Sequence, residues 1–154
     1  MTRLISTIVF NIFVVVAVGC STIHSDTPSA EALERYDLYV APTFSRPSHF
    51  TIERHTDSYI LREHAYRGKG GYSPKKLARL KTERISVEEW NTLKAIIDDG
   101  GFWTDSVSDI NEWGYLDATL IRFEGKRSQQ EKKIRQYGEY SAFLYELLEC
   151  LDER

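Results

Sequence analysis

The amino-terminal segment determines which residues are available to form the mature domain. Leu4 to Val18 is almost entirely apolar, and Arg3 is the only charged residue before Asp26. A membrane-spanning helix needs about twenty apolar residues, whereas a positive start followed by a shorter apolar stretch is typical of an export signal. We therefore predict that residues 1–19 are a cleaved signal peptide, which leaves only the following residues to form a domain.

The apolar stretch ends in Ala17-Val18-Gly19-Cys20, an ending that resembles the lipobox of bacterial lipoproteins. Ala17 departs from the usual pattern, because leucine is commoner at that position. The resemblance implies cleavage between Gly19 and Cys20, and covalent attachment of diacylglycerol and an N-acyl chain, such as palmitate, to Cys20. Each buried methylene contributes about 0.8 kcal/mol, so several chains anchor a protein stably in a membrane. Two alternatives stay open: an uncleaved amino-terminal membrane helix, and an exported soluble protein in which Cys20 is incidental.

The residues after Cys20 predict where the protein resides. By analogy with lipoprotein sorting in Gram-negative bacteria, Ser21 rather than aspartate at this position favours the outer membrane, with the inner membrane as the alternative. Residues 20–35 contain Pro28, several Ser and Thr and few apolar side chains, so we predict a lipidated terminus and flexible tether. Residues 36–154 then form one domain facing the periplasm, long enough to bury a core without disulfides.

The net charge limits the class of partner, and the cysteine count limits the possible disulfides. The formal net charge is −3, which argues against a nucleic-acid-binding surface, since such a surface needs a basic patch. The chain has two cysteines, so lipidation of Cys20 leaves Cys150 without a partner. Cys150 shares a helical stripe with Phe143, Leu147 and Leu151, which predicts a buried thiol; an intermolecular disulfide or a reactive thiol stays open.

Alternation of apolar and polar residues predicts several strands before the first helix. A first strand starts at Tyr36, and Pro42 ends it or confines it to a sheet edge; residues 78–85 read as a later strand. Residues 49–66 predict a hairpin that turns at Thr56-Asp57. The intervening Gly68–Gly71 stretch superficially resembles a phosphate-binding loop, but it lacks the length and the trailing Ser or Thr, so we predict a turn.

The clearest helix signal lies in the middle of the chain. Ser86 and Glu89 form a capping-box pattern, and Gly100-Gly101 provides a stop. The apolar residues between them repeat at helical spacing, which predicts a helix packed on a sheet. The residues of this stripe are Val87, Trp90, Leu93, Ile96 and Ile97.

The rest of the chain repeats the order of strands followed by a helix. Residues 114–137 predict a second hairpin that turns at Gly125-Lys126, with a charged second arm at a sheet edge or facing solvent. Residues 141–151 predict the final helix. We therefore predict an α+β fold, in which an antiparallel sheet of about five to six strands packs against two helices.

No catalytic motif is evident in the sequence. There is no nucleophile elbow, and the four histidines lack the spacing of a metal site. His55, His64, Glu53 and Glu63 are the residues that a metal-dependent or hydrolytic enzyme would use, if their strands brought them together. We expect no metal, no catalytic residue and no enzymatic activity.

One loop is rich in aromatic and acidic residues. Trp113 lies between the first helix and the second hairpin, Tyr115 and Asp117 lie at the start of that hairpin, and Trp103 precedes them. Aromatic side chains with an acidic rim are typical of protein-binding surfaces, so these four residues are the candidate contacts with a partner. For Phe102 and Trp103 the alternative is that they cover the hydrophobic core after the helix stop.

The segments RLKTERISVEEWNTLKAIIDDGGFW and GYLDATLIRFEG resemble small envelope lipoproteins of enterobacteria, many of them carried by prophages. The resemblance implies a lipid-anchored periplasmic domain without known enzymatic activity, with a link to envelope stress. The helix ending in Gly-Phe-Trp is also similar to some immunity lipoproteins that neutralise toxins acting in the periplasm. We expect a module that binds an envelope protein; a toxin as partner, an enzyme and a purely structural envelope component are the alternatives.

Overall fold

The computed structural model describes residues 31–68, 76–104, 106–111 and 118–153. The predicted signal peptide, Cys20 and Ser21 therefore lie outside the described residues. Among these residues, no helix is long and apolar enough to cross a membrane. The elements in chain order are β1 (Glu34–Ala41), β2 (Ser48–Arg54), β3 (Tyr59–Tyr66), β4 (Leu77–Ile85), α1 (Val87–Asp99), β5 (Ile110–Asn111), β6 (Leu120–Arg127), β7 (Gln130–Tyr137) and α2 (Ala142–Asp152).

The strands form one sheet in the order β4-β3-β2-β1-β6-β7-β5. Neighbouring strands are antiparallel except for the two-residue β5, which pairs parallel with β7. Strand β1 joins the two halves of the sheet, because Leu38 lies opposite both Phe50 of β2 and Phe123 of β6. The predicted α+β class is confirmed, and the first hairpin turns at Thr56-Asp57 as predicted.

One face of the sheet shares a hydrophobic core with both helices. Tyr36 of β1 stacks on Phe123 of β6, with ring centroids 6.0 Å apart, and lies 6.1 Å from the ring of Trp90 in α1. Phe123 in turn lies 5.6 Å from the ring of Phe143 in α2. Burying each such side chain contributes about 1.5–3 kcal/mol, so these contacts are a main source of the stability of the domain.

Helix α1 begins and ends as its sequence predicts. Ser86 Oγ accepts the Glu89 backbone N–H at 3.1 Å, and the Glu89 carboxylate accepts the Ser86 backbone N–H at 2.7 Å. Gly101 adopts φ +72°, a conformation that favours glycine and ends the helix. Val87 was predicted in the apolar stripe, but this is wrong: it is 45% exposed. Helical side chains lean toward the amino terminus, so the first residue extends past the helix instead of covering the core.

Helix α2 is held at its start by a side chain from the sheet. Gln136 of β7 is fully buried, and its amide oxygen accepts the Ser141 backbone N–H at 2.7 Å. Its amide nitrogen donates to Ser141 Oγ at 2.7 Å and to the Ser108 carbonyl at 3.0 Å. Cys150, predicted to be a buried thiol, is only half-buried where it packs against the core near the end of α2, and it has no disulfide partner among the described residues.

The predicted turn at Gly125-Lys126 is wrong. Strand β6 continues to Arg127, and the chain reverses at Ser128-Gln129, where Ser128 has φ 47°. Gly125 lies in the middle of the strand, where a Cβ atom would come within 2.6 Å of Phe102 Cε1. The glycine therefore leaves room for aromatic rings that pack on the sheet, and this close approach cannot be distinguished from a turn in the sequence.

Candidate functional site

The face of the sheet turned away from the helices carries mostly polar side chains, and we call it the open face. Its composition follows from the alternation of side chains along each strand, since the residues between the buried positions must point the other way. The central residues of the open face, strand by strand, are Arg35, Asp37, Tyr39, His49, Thr51, Glu53, Ile60, Arg62, His64, Arg122, Glu124, Lys133 and Arg135.

Asp37 is the centre of one hydrogen-bond network on this face. Its carboxylate accepts from Arg35 Nε at 2.6 Å and from Thr51 Oγ1 at 2.8 Å, and it lies 3.0 Å from His49 Nε2. Burial opposes ionisation, but the hydrogen bonds from His49, Arg35 and Thr51 outweigh it and hold the pKa of Asp37 far below its usual value. A carboxylate with so low a pKa is a weak base at neutral pH, so Asp37 organises the sheet surface.

Glu53 is the centre of a second network. The residue is only 4% exposed, and its carboxylate accepts hydrogen bonds from Arg62 and from Arg35 Nη1, the latter at 3.2 Å. His55 Nε2 lies 3.2 Å from the same carboxylate. A buried carboxylate is expensive unless cations and donors satisfy it, and here three side chains do so. The two networks share Arg35, which ties Asp37 to Glu53.

The strand register separates the four residues considered for a metal or hydrolytic site. His64 lies opposite His49, not near His55, which follows the end of β2. Glu63 points to the helix side of the sheet, whereas Glu53 points to the open face. These side chains therefore do not converge on one centre. Within the described ranges, no group of three or more His, Cys, Asp or Glu side chains is arranged to hold a metal ion.

His49 and His64 instead form a stacked pair, with ring centroids 5.0 Å apart and planes inclined by 29°. Burial lowers the pKa of His64, and the neighbouring His49 and Arg62 lower it further. The ring of Tyr39 meets His49 edge-on at 6.4 Å, so aromatic side chains extend from β3 to β1. This end of the open face therefore presents a series of aromatic rings on three adjacent strands.

A shallow cavity of about 470 Å³ lies on the open face between β2 and β7, and Tyr39, His49, Arg122 and Arg135 are among its lining residues. Arg122 and Arg135 are directly opposite each other on β6 and β7, and the Arg122 guanidinium lies 5.7 Å from the centroid of the Tyr39 ring. In the part of the chain that the structure describes, neither guanidinium has a carboxylate partner.

The acidic residues beside this cavity already have partners. Glu124 Oε1 lies 2.8 Å from Lys133 Nζ. Asp109 Oδ1 accepts the backbone N–H of Arg135 at 2.7 Å, and Asp37 is held as described above. The cavity therefore places two exposed guanidiniums beside aromatic rings, and neither forms an ion pair with a carboxylate of the described residues.

The aromatic residues proposed as partner contacts have different positions. Trp103 is half-buried: its ring meets Tyr36 edge-on at 6.1 Å, and the Arg127 guanidinium lies 4.3 Å from its centroid. Phe102 is fully buried in the core. Trp113, Tyr115 and Asp117 lie outside the described residues.

The first strand begins with a buried carboxylate, in a part of the chain that the sequence analysis assigned to the tether. Glu34, the first residue of β1, is 5% exposed, and its Oε1 accepts the Tyr36 hydroxyl at 2.6 Å. Lys94 Nζ lies 3.6 Å from the same oxygen, and Arg54 Nη1 lies 3.7 Å from Oε2. Burial, and then the hydrogen bond to Glu34, raise the pKa of Tyr36 well above its usual value. Strand β1 thus begins at Glu34, two residues before the predicted start of the first strand.

Sequence reasoning did not identify Asp37, His49, Arg122 or Arg135. The sequence does indicate that these side chains face outward, because each occupies an outward position in a strand of alternating residues. Arg122, for example, lies between two buried neighbours. This alternation predicts exposure, but it does not identify the residues of the neighbouring strands that lie beside each side chain. The pairing of β1 with β6, across about eighty residues of sequence, brings the site together.

Comparison with known proteins gives no assignment: no protein-family model matches the chain, and no curated protein matches it.

Proposed function

We propose that this protein is a lipid-anchored envelope lipoprotein that faces the periplasm and acts as a non-enzymatic module for binding another protein. The observation that carries the proposal is the apolar segment that ends in Gly19-Cys20, followed by a short polar stretch and then a domain that begins at Glu34. Ser21 favours the outer membrane as the site of attachment. A link to envelope stress belongs to the same proposal.

The chemistry of the open face supports binding rather than catalysis. Asp37 and Glu53 are each engaged by cations and donors, which stabilises them as structural anions. Arg122 and Arg135 are exposed and unneutralised within the described chain, as side chains that contact a partner often are. The loop that carries Trp103, Trp113, Tyr115 and Asp117 is a second candidate contact surface.

Labelling with radioactive palmitate, followed by membrane fractionation, tests the anchor. We expect the wild-type protein to carry label and to sediment with outer membranes. The Cys20→Ser variant should carry no label, because a hydroxyl does not replace the thiolate in the acyl-transfer reaction. The matched control is Cys150→Ser, which removes the other cysteine and should be labelled like the wild type. Absence of label from wild type, or label retained by Cys20→Ser, would refute the anchor.

A further inference from the structure

Five side chains from five adjacent strands form a continuous row across the open face, which we call the arginine–histidine row. The register places Arg135 of β7 opposite Arg122 of β6, Arg122 opposite Tyr39 of β1, Tyr39 opposite His49 of β2, and His49 opposite His64 of β3. Neighbouring strands are about 4.8 Å apart, so the row extends over roughly 19 Å. One end is cationic, and the other is aromatic.

The cationic end is electrostatically unfavourable as it stands. Like charges directly opposite each other on antiparallel strands repel, and Arg122 and Arg135 are such a pair. Asp37, Glu124 and Asp109 line the same cavity, but among the described residues none of them forms an ion pair with either arginine, since they are bound to Arg35, Lys133 and a backbone N–H respectively. An anion that enters the cavity beside the two guanidiniums would relieve it.

We propose that the arginine–histidine row binds an extended acidic segment of a partner protein. A guanidinium presents a planar set of donors that matches a carboxylate, so Arg122 and Arg135 would bind the acidic side chains. Tyr39 and the stacked His49 and His64 rings offer apolar surface to the next residues of the segment. A row of roughly 19 Å accommodates about six extended residues at about 3.3 Å each.

The position of the row favours a protein segment over a lipid headgroup. The chain enters the domain at Glu34, and Tyr39 lies five residues further along β1, roughly 17 Å from that end. The row therefore lies away from the end of β1 at which the tether joins the domain. A phosphate headgroup would also engage only the two arginines and leave the aromatic half unused.

This inference rests on the proposed role as a protein-binding module, and fluorescence anisotropy with the full-length protein in non-ionic detergent tests it. The probe is a fluorescein-labelled peptide of roughly ten residues rich in glutamate and tyrosine, and the matched peptide has lysine in place of glutamate. The test variant is Arg122→Gln/Arg135→Gln. The control, Arg46→Gln/Arg84→Gln, removes the same charge from exposed sites outside the row.

We expect the wild type to bind the acidic peptide and not the lysine peptide. The test variant should bind the acidic peptide at least about tenfold more weakly, because each charge-assisted hydrogen bond contributes about a factor of ten. The control variant should change the affinity by less than about twofold, as expected for remote, screened charges. Urea unfolding checks that both variants fold.

Three results would overturn the inference. The first is an unchanged peptide affinity in the test variant. The second is an equal loss of peptide affinity in the test and control variants, which would mean that net charge alone determines binding. The third is tighter, Arg122-dependent binding to phosphatidylglycerol vesicles than to the peptide, which would assign the row to lipid. Repeating the measurement with Cys20→Ser separates the two proposals, because failure of the anchor leaves the peptide affinity unchanged.

Discussion

Replacing Gly125 with alanine tests how the aromatic residues after α1 pack on the sheet. Gly125 lies on the core face of β6, opposite Tyr36 of β1. An added Cβ would lie 2.6 Å from Phe102 Cε1 and 3.0 Å from Trp103 Cζ2. Carbon atoms in ordinary contact are about 3.5–4.0 Å apart, so the rings must move or the strand must bend.

The expected magnitude is the difference between two opposing effects. In an unhindered strand, alanine would raise the free energy of unfolding by roughly 0.5–1 kcal/mol, because glycine loses more backbone freedom on folding. Overpacking a filled core costs about 1–3 kcal/mol. Phe102 cannot swing aside freely, since its ring is 4.7 Å from the ring of Phe123 and 6.1 Å from that of Phe143. We therefore expect Gly125→Ala to lower the free energy of unfolding by about 1–2 kcal/mol.

Urea unfolding followed by tryptophan fluorescence measures this loss. The matched control is Lys126→Ala, at the next residue of the same strand, where the side chain is exposed and makes a surface ion pair with Glu31. This control should change the free energy of unfolding by less than about 0.5 kcal/mol. A midpoint for Gly125→Ala at or above that of the wild type, with unchanged slope, would refute the packing of Phe102 and Trp103 over Gly125.

Two further predictions concern the helix cap and the histidine pair. Ser86→Ala removes the hydroxyl that accepts the Glu89 backbone N–H, so urea unfolding should show a free energy of unfolding lower by about 1 kcal/mol. Ser86→Gly should lower this free energy by only a few tenths of a kcal/mol, and equal decreases in the two variants would contradict the prediction. Because the pKa of folded His64 is below its usual value of about 6.5, the unfolded chain binds the proton more readily, and stability should fall as pH drops below 6.5. Thermal melts between pH 7.5 and 5 should show a smaller fall in His64→Gln than in wild type, and equal falls would refute the assignment.

The features that the sequence predicted well are those determined over a few neighbouring residues. The capping box of α1 needs only Ser86 and Glu89, and its hydrogen bonds form as expected. The Thr56-Asp57 turn follows from two short alternating stretches on either side of it. Such features depend on local backbone preferences, which the residues themselves carry.

The features that could not be predicted depend on which distant segments meet. No local sequence pattern indicates that β1 pairs with β6. This pairing places Gly125 opposite Tyr36 and leaves the core side of Gly125 open for the rings of Phe102 and Trp103. Read alone, a glycine followed by lysine between two arms of alternating residues favours a turn. Tertiary contact overrides that local preference, because burying two aromatic rings contributes more than the choice of turn position.

The buried core residues also determine which side chains lie next to each other on the open face. Phe123 and Ile134 are buried and lie opposite each other on β6 and β7, which fixes the register of these strands. A slip of one residue would expose both and turn Arg122 and Arg135 into the core, at a cost of several kcal/mol. The two arginines are therefore held side by side by residues that they do not touch. Their mutual repulsion is small beside the burial that enforces it, so the sheet holds two like charges opposite each other without losing its fold.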